Sequence, residues 1–250
     1  MTFNWKKTSI VLIDIALAVY LVLAVSAFNN PDERNSTCTK VNIDIAESDI
    51  KGFLSADFVK LHLQRSKLYP VGDPLDQVNV RTIEESLQKN PLVESVECYK
   101  SQAGHVNIEI AQRLPVMRIM ADNGDDYYID HFGAIMPSNQ YASDLVVATG
   151  HISKQYAQKV LMRIGNMILG DRFWRSQIEQ LNVLDDGSLE MVPRVGNHIV
   201  YLGRPTGISR KLERLKKFYK YGLSQTGWNK YSRINLEFDN QIICKKDNRQ

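Results

Sequence analysis

Apolar and polar positions repeat with three different periods along this chain, and each period predicts a different element. Residues 8–28, TSIVLIDIALAVYLVLAVSAF, are almost wholly apolar. As a helix this run rises about 31 Å, the thickness of a bilayer's hydrocarbon core. NNPDERNSTC, 29–38, is polar and aperiodic, and reads as a linker over 29–37. In TKVNIDI, 39–45, the period becomes two, and Val41, Ile43 and Ile45 share one face of a strand. FLSADFVKLHLQRSKL, 53–68, sets Phe58, Leu61 and Leu68 at helical spacing behind a Ser55 or Asp57 cap. YPVGDP, 69–74, is a loop. NVRTIEESLQK, 79–89, is a second short helix that buries Val80, Ile83 and Leu87, capped by Asn79 or Thr82 and ended by Asn90-Pro91. Strands follow at 92–100 and 105–113, with Gly104 in the turn between them. Residues 38–113 thus read as β-α-α-β-β.

The rest, 114–250, is strand-rich, with hairpin signals at Gly124, at Asp130–Gly133, at Asp185–Gly187 and at Val195–Asn197. Two amphipathic helices interrupt it. The first, 153–169, runs from a Ser153 cap to Gly170 and turns Tyr156, Val160, Ile164 and Met167 or Ile168 inward. The second, 208–222, turns Ile208, Leu212, Leu215 and Phe218 or Tyr219 inward and its Arg and Lys outward. The chain closes on INLEFDNQIICKK, 234–246, which alternates on both sides of Asp239-Asn240. That pair suits a two-residue hairpin turn. The implied register pairs Gln241–Lys246 with Ile234–Phe238 and puts Leu236 and Ile243 toward the core, Glu237 and Ile242 away from it. A closing strand predicts a sheet edge with unpaired backbone groups. The fold class is α+β.

Charge divides the chain. Residues 31–150 carry 11 Lys/Arg and 18 Asp/Glu, net −7, and residues 203–250 carry 12 Lys/Arg and 4 Asp/Glu, net +8, within a total of +3. Opposite fields suggest different partners or partial self-neutralisation. The basic half carries no nucleic-acid motif, and its charge follows one helix face, which argues against nucleic acid. Lys6 and Lys7 precede the apolar run and Asp32 and Glu33 follow it, which sets residues 1–7 in the cytoplasm and the bulk outside. Val25-Ser26-Ala27 resembles a cleavage site, but signal cores run only about 7–15 residues, so the reading favours a retained anchor. Asp14 within the run either reaches water at the cytoplasmic end or faces another membrane helix.

No phosphate loop, nucleophile elbow or metal-helix motif occurs. The five histidines, at 62, 105, 131, 151 and 198, have no ligand spacing, and Cys38, Cys98 and Cys244 match no metal knuckle. Cys98 and Cys244 read as small apolar strand residues. Asp130-His131, Asp125-Asp126 and Asp185-Asp186 sit where turn chemistry alone explains them. Trp174, between Arg172 and Arg175, reads as a packing anchor rather than an exposed aromatic–cation cluster. Arg113 and Pro115, in QRLPV, mark a domain junction, where proline stiffens the joint between two surfaces. An enzyme is disfavoured, and no cofactor or metal is expected.

Four segments carry a family resemblance: the short N-terminus with its apolar run; the β-α-α-β-β unit, which has the order of a POTRA domain; VNIEIAQRLPVMRI followed by YYIDHFGAIMP; and the end YSRINLEFDNQIICKK. Together they resemble the FtsQ/DivIB family of cell-division proteins, most closely versions from Bacteroides relatives. The resemblance implies a non-enzymatic scaffold of the divisome in the inner membrane, single-pass, with its bulk in the periplasm at the septum. It implies recruitment and upstream contacts, FtsK among them, through the POTRA domain. It implies that residues 114–250 bind the FtsB–FtsL pair, or DivIC-like counterparts, along the last strand. The partner-binding residues it points to are Tyr231, Arg233, Phe238, Gln241, Ile242, Ile243, Cys244, Lys245 and Lys246. A cytoplasmic tail of about seven residues departs from the family pattern. The alternative is a POTRA-bearing export or translocation protein, although such proteins string several units together or add a barrel.

Overall fold

The structure is a computed structural model that describes residues 5–28, 36–46, 54–138 and 144–247; for 5–12 and 27–28 only the backbone is described. The chain forms a first helix and then two compact units that meet between Ala111 and Gln112.

Helix α1 covers Trp5–Phe28. Its described side chains, 13–26, are almost all exposed, Ile13, Leu17, Leu21 and Val25 included. Among the described residues no helix is long and apolar enough to cross a membrane; of the span expected at 8–28, the side chains of 8–12 and 27–28 lie outside the description.

The first unit contains β1 (Lys40–Ile45), α2 (Ala56–Arg65), α3 (Val80–Gln88), β2 (Val93–Lys100) and β3 (His105–Gln112). Its sheet has the order β1-β3-β2, with β1 parallel to β3. Both helix caps are those expected: the Ser55 hydroxyl accepts from the Phe58 N–H, and the Asn79 side chain from the Thr82 N–H. Each fills an acceptor role that the first helical turn leaves open. Ile83 and Leu87 are buried on α3 as expected. On α2 the buried stripe is instead Val59 and Leu63, while Phe58 and Leu61 are 48% and 45% exposed. The helix starts after Ser55 and stops at Arg65, with Lys67 in a left-handed conformation (φ 56°), so Leu68 lies beyond it. That shorter helix aims its one i,i+4 pair inward. Two α3 side chains reach β2, which is an edge. Glu84 Oε1 accepts from the Cys98 N–H (2.7 Å), and Gln88 Nε2 donates to the Glu94 carbonyl (3.1 Å). Burial and the Glu84 charge push the Cys98 thiol up to about 12, which fits its packing role.

The second unit is a nine-stranded sheet. Its strands are β4 (Pro115–Ala121), β5 (Asp126–Asp130), β6 (Ile135–Pro137), β7 (Val147–Gly150), β8 (Ile178–Val183), β9 (Leu189–Pro193), β10 (Ile199–Gly203), β11 (Tyr231–Asn235) and β12 (Ile243–Lys246). Their order is β12-β11-β10-β9-β8-β7-β4-β5-β6. The β4–β7, β7–β8 and β10–β11 pairs are parallel; the remaining pairs are antiparallel. Helices over 154–170 and 208–226 pack on the sheet, each broken by a π turn, at Ala157–Leu161 and Tyr219–Leu223. The expected hairpin turns at Gly124, Gly133, Gly187 and Gly196 are present, each glycine with positive φ. Trp174 is buried, as a packing anchor.

One residue departs from its turn reading. Asp130 is 0% exposed and holds the β5–β6 turn together. Its Oδ2 accepts from Arg113 Nη1 (2.5 Å), and its Oδ1 accepts from the Phe132 and Ala134 N–H groups (2.9 and 2.7 Å). Helix 154–170 ties the same turn: Gln158 donates to the Gly133 carbonyl and Asn166 to the His131 carbonyl. Arg113 therefore does more than mark a junction. It neutralises a carboxylate that folding removes from water.

His198 is the second buried polar group of consequence. It is 2% exposed, and its Nε2 hydrogen-bonds the Tyr219 hydroxyl (2.8 Å) inside the second π turn. Trp228 packs edge-on against Tyr219, with ring centroids 5.2 Å apart. Burial pushes the His198 pKa below 6.5, opposed by the Trp228 backbone, and pushes the Tyr219 phenol up.

Two outcomes follow. Asp130→Ala removes the buried carboxylate that faces the Arg113 charge and leaves two N–H groups without their acceptor. It is expected to cost about 3–5 kcal/mol in denaturant unfolding, with Asp130→Asn costing less; an Ala variant within 1 kcal/mol of the parent contradicts the buried hub. For His198, the unfolded state takes up a proton below pH 6.5 that the folded state resists. Stability is therefore present above 6.5 and falls as the pH drops below it. The melting temperature should fall more steeply in the parent than in His198→Gln; parallel pH profiles would refute this.

Candidate functional site

The last hairpin is where the sequence pointed, and the structure puts it at the rim of the nine-stranded sheet. β12 pairs with β11 on one side, and among the described residues no strand lies on the other. Cross-strand partners are Asn235 with Ile243, Ile234 with Cys244, Arg233 with Lys245 and Tyr231 with Lys246, with a bulge between Tyr231 and Arg233. The Asp247 N–H donates to the Lys230 carbonyl (3.1 Å), inward. By the alternation of an antiparallel ladder, Lys245 and Ile243 also turn their amides inward, and Cys244 and Ile242 turn theirs to the open side.

This register corrects the sequence expectation by one residue. A two-residue turn at Asp239-Asn240 would oppose Leu236 to Ile243. Instead the strands end at Asn235 and resume at Ile243, leaving 236–242 as a loop in which Asn240 alone has positive φ (63°). A slip of one residue exchanges the two faces. Leu236 is buried, as expected, but Ile243 is 48% exposed, and it is Ile242 and Cys244 that pack against the core. The pattern was ambiguous because Ile242, Ile243 and Cys244 are consecutive, so either parity offers an apolar face.

All nine residues expected to bind a partner fall on this one hairpin and its loop. Ile243–Lys246 form β12, Tyr231 and Arg233 lie on β11, and Phe238, Gln241 and Ile242 lie in the loop. Arg233 is partly spent inside the sheet: it bonds Glu190 (2.7 Å) and lies over the Tyr201 ring at 5.0 Å. Lys245, Lys246 and the neighbouring Lys230 are exposed, as are Lys216, Lys217 and Lys220 on the preceding helix. Phe238 and Ile243 add exposed apolar surface to this basic rim. Arg113 and Pro115 are not brought to this site; β4 lies six strands away.

Two charged side chains near this hairpin escaped the sequence reading, which placed every Arg and Lys of helix 208–222 outward. Lys211 is buried, its Nζ donating to the Leu202 and Arg204 carbonyls (2.7 and 2.8 Å). Burial pushes its pKa down, against the favourable charges of Glu237 and Asp239. Arg214 donates to carbonyls of the 236–242 loop. Both charges sit at i and i+3 beside the apolar stripe, a position that periodicity alone assigns to the solvated face.

The comparisons agree with this architecture. Residues 114–245 match the family model described as FtsQ/DivIB, C-terminal related, and residues 36–111 match a POTRA-like domain. Two proteins named cell division protein FtsQ, from Geobacter sp. (strain M21) and Geotalea daltonii, are 26% and 27% identical to this chain over 187 residues. Each match covers 70% of this chain and spans 66% of the relative's length. With its second unit matched almost end to end and a POTRA-like unit before it, the chain belongs to the FtsQ/DivIB family of cell-division proteins.

Proposed function

We propose that this protein is a non-enzymatic scaffold of the divisome that captures the FtsB–FtsL pair by accepting a partner strand along β12. One observation carries the reading: the sheet ends in a strand whose outer side is unpaired among the described residues, at a rim that is basic and bears exposed Phe238 and Ile243. Strand addition uses main-chain hydrogen bonds for affinity and every second side chain for specificity. An acidic, apolar partner segment fits such a rim, with charge setting its approach and orientation. The apolar run of helix α1, with Lys6 and Lys7 in the helix's first turn ahead of it, is assigned as an uncleaved anchor with its N-terminus in the cytoplasm, and both units are assigned to the periplasm at the septum. The POTRA unit is assigned to upstream contacts, FtsK among them.

Proline at Cys244 removes an outward N–H without touching the inward ladder. Losing that one main-chain bond at about 1–1.5 kcal/mol corresponds to roughly 5- to 12-fold weaker capture of purified FtsB–FtsL. Cys244→Ala keeps the backbone and should bind within a few-fold of the parent. If Cys244→Pro melts cooperatively and still captures the pair at parental affinity, strand addition is wrong. For topology, protease added to spheroplasts should digest the region beyond residue 40; protection of that region overturns the orientation.

A further inference from the structure

The loop that feeds β12 is held from outside its own hairpin. Arg214, on helix 208–226, directs its guanidinium at three backbone carbonyls of that loop. Nη2 donates to Leu236 O (2.6 Å), and Nη1 to Phe238 O (2.6 Å) and Gln241 O (3.3 Å). A planar fork with five donors can serve three acceptors at once, which a lysine cannot do with the same geometry. Other contacts seat the same loop. The Leu236 N–H donates to Tyr201 O (2.9 Å), Asn235 Oδ1 accepts from the Glu237 N–H (2.8 Å), and the Glu237 side chain crosses Gly203 where a Cβ would come within 2.9 Å.

Two registers compete for this hairpin. The short one, built on a two-residue Asp239-Asn240 turn, opposes Asn235 to Cys244 and turns Ile243 inward. The observed one opposes Asn235 to Ile243 and turns Ile242 and Cys244 inward. Apolar content separates them weakly, and each leaves one terminal lysine, Lys245 or Lys246, on the inward parity. What distinguishes them is the loop. Only a loop open over 236–242 offers the carbonyls of 236, 238 and 241 to one guanidinium.

We propose that Arg214 sets the register of the terminal hairpin, and so selects which side chains β12 presents at its open edge. The consequence for a partner rests on the strand-addition reading above; the consequence for register does not. Without the guanidinium the three carbonyls turn to water, the loop closes to the turn that Asp-Asn favours, and β12 slips by one residue.

Cysteine pairing reads the register directly, since Cys244 is already present and free. Asn235→Cys is introduced with Arg214 intact and with Arg214→Met, each is treated with a mild oxidant, and a 235–244 disulfide is followed by mass spectrometry. Capture of purified FtsB–FtsL is measured beside it. The proposal expects the disulfide to form at least tenfold faster with Arg214→Met, and capture by a singly substituted, cooperatively melting Arg214→Met protein to fall at least tenfold. No acceleration of the disulfide in a folded Arg214→Met protein overturns it, whether or not capture is lost. Acceleration with capture unchanged upholds the register role and refutes strand addition at β12 instead. If Arg214→Met does not melt cooperatively, the same disulfide comparison with Arg214→Lys decides, because lysine keeps the charge but not the three-way geometry.

Discussion

Parallel pairing between β10 and β11 is the contact on which the candidate site depends. A parallel neighbour cannot be reached by a tight turn, so the chain must leave the sheet, cross one face and return. Helix 208–226 is that crossing. It buries Ile208, Leu212, Leu215 and Tyr219 against the sheet and delivers the chain to β11 beyond β10. With β11 placed there, the only neighbour left for β12 is the outside. The same crossing carries the basic residues past the rim and puts Arg214 over the loop it holds.

The edges in this protein differ in kind. β2 closes the first unit's sheet, and two of its backbone groups are occupied by Glu84 and Gln88 from α3. β6 closes the far side of the large sheet with three residues, the last a proline. Both devices blunt an edge against strand addition. β12 has charge on its side chains but neither a plug nor a proline. In the nine-stranded sheet, blunting the β6 rim and leaving the β12 rim accessible concentrates pairing on β12.

Much of this was legible from pattern. Capping residues at Ser55, Asn79 and Ser153 announced three helix starts, because a side-chain acceptor before an apolar-periodic run has few other uses. Glycines at 124, 133, 187 and 196 announced the hairpins, because their left-handed φ disfavours other residues. What pattern missed were groups whose partners are far away in sequence. Asp130 looked like a turn residue until Arg113 met it. Lys211 and Arg214 looked solvated because their acceptors are backbone carbonyls, which have no signature in sequence. The terminal register failed for a related reason: three consecutive residues of similar polarity cannot report parity, and the deciding contact comes from another element.

The Arg214 clamp divides mutational freedom unevenly. Every residue brings a carbonyl, so the loop from Leu236 to Gln241 can change side chains at several positions while still offering the same three acceptors. Drift in the loop is therefore cheap, and it alters the texture of the rim without moving the strand. Constraint gathers instead on a single guanidinium that touches no loop side chain through these bonds. A lineage can in this way retune what lies beside β12 while the strand's own presentation stays fixed.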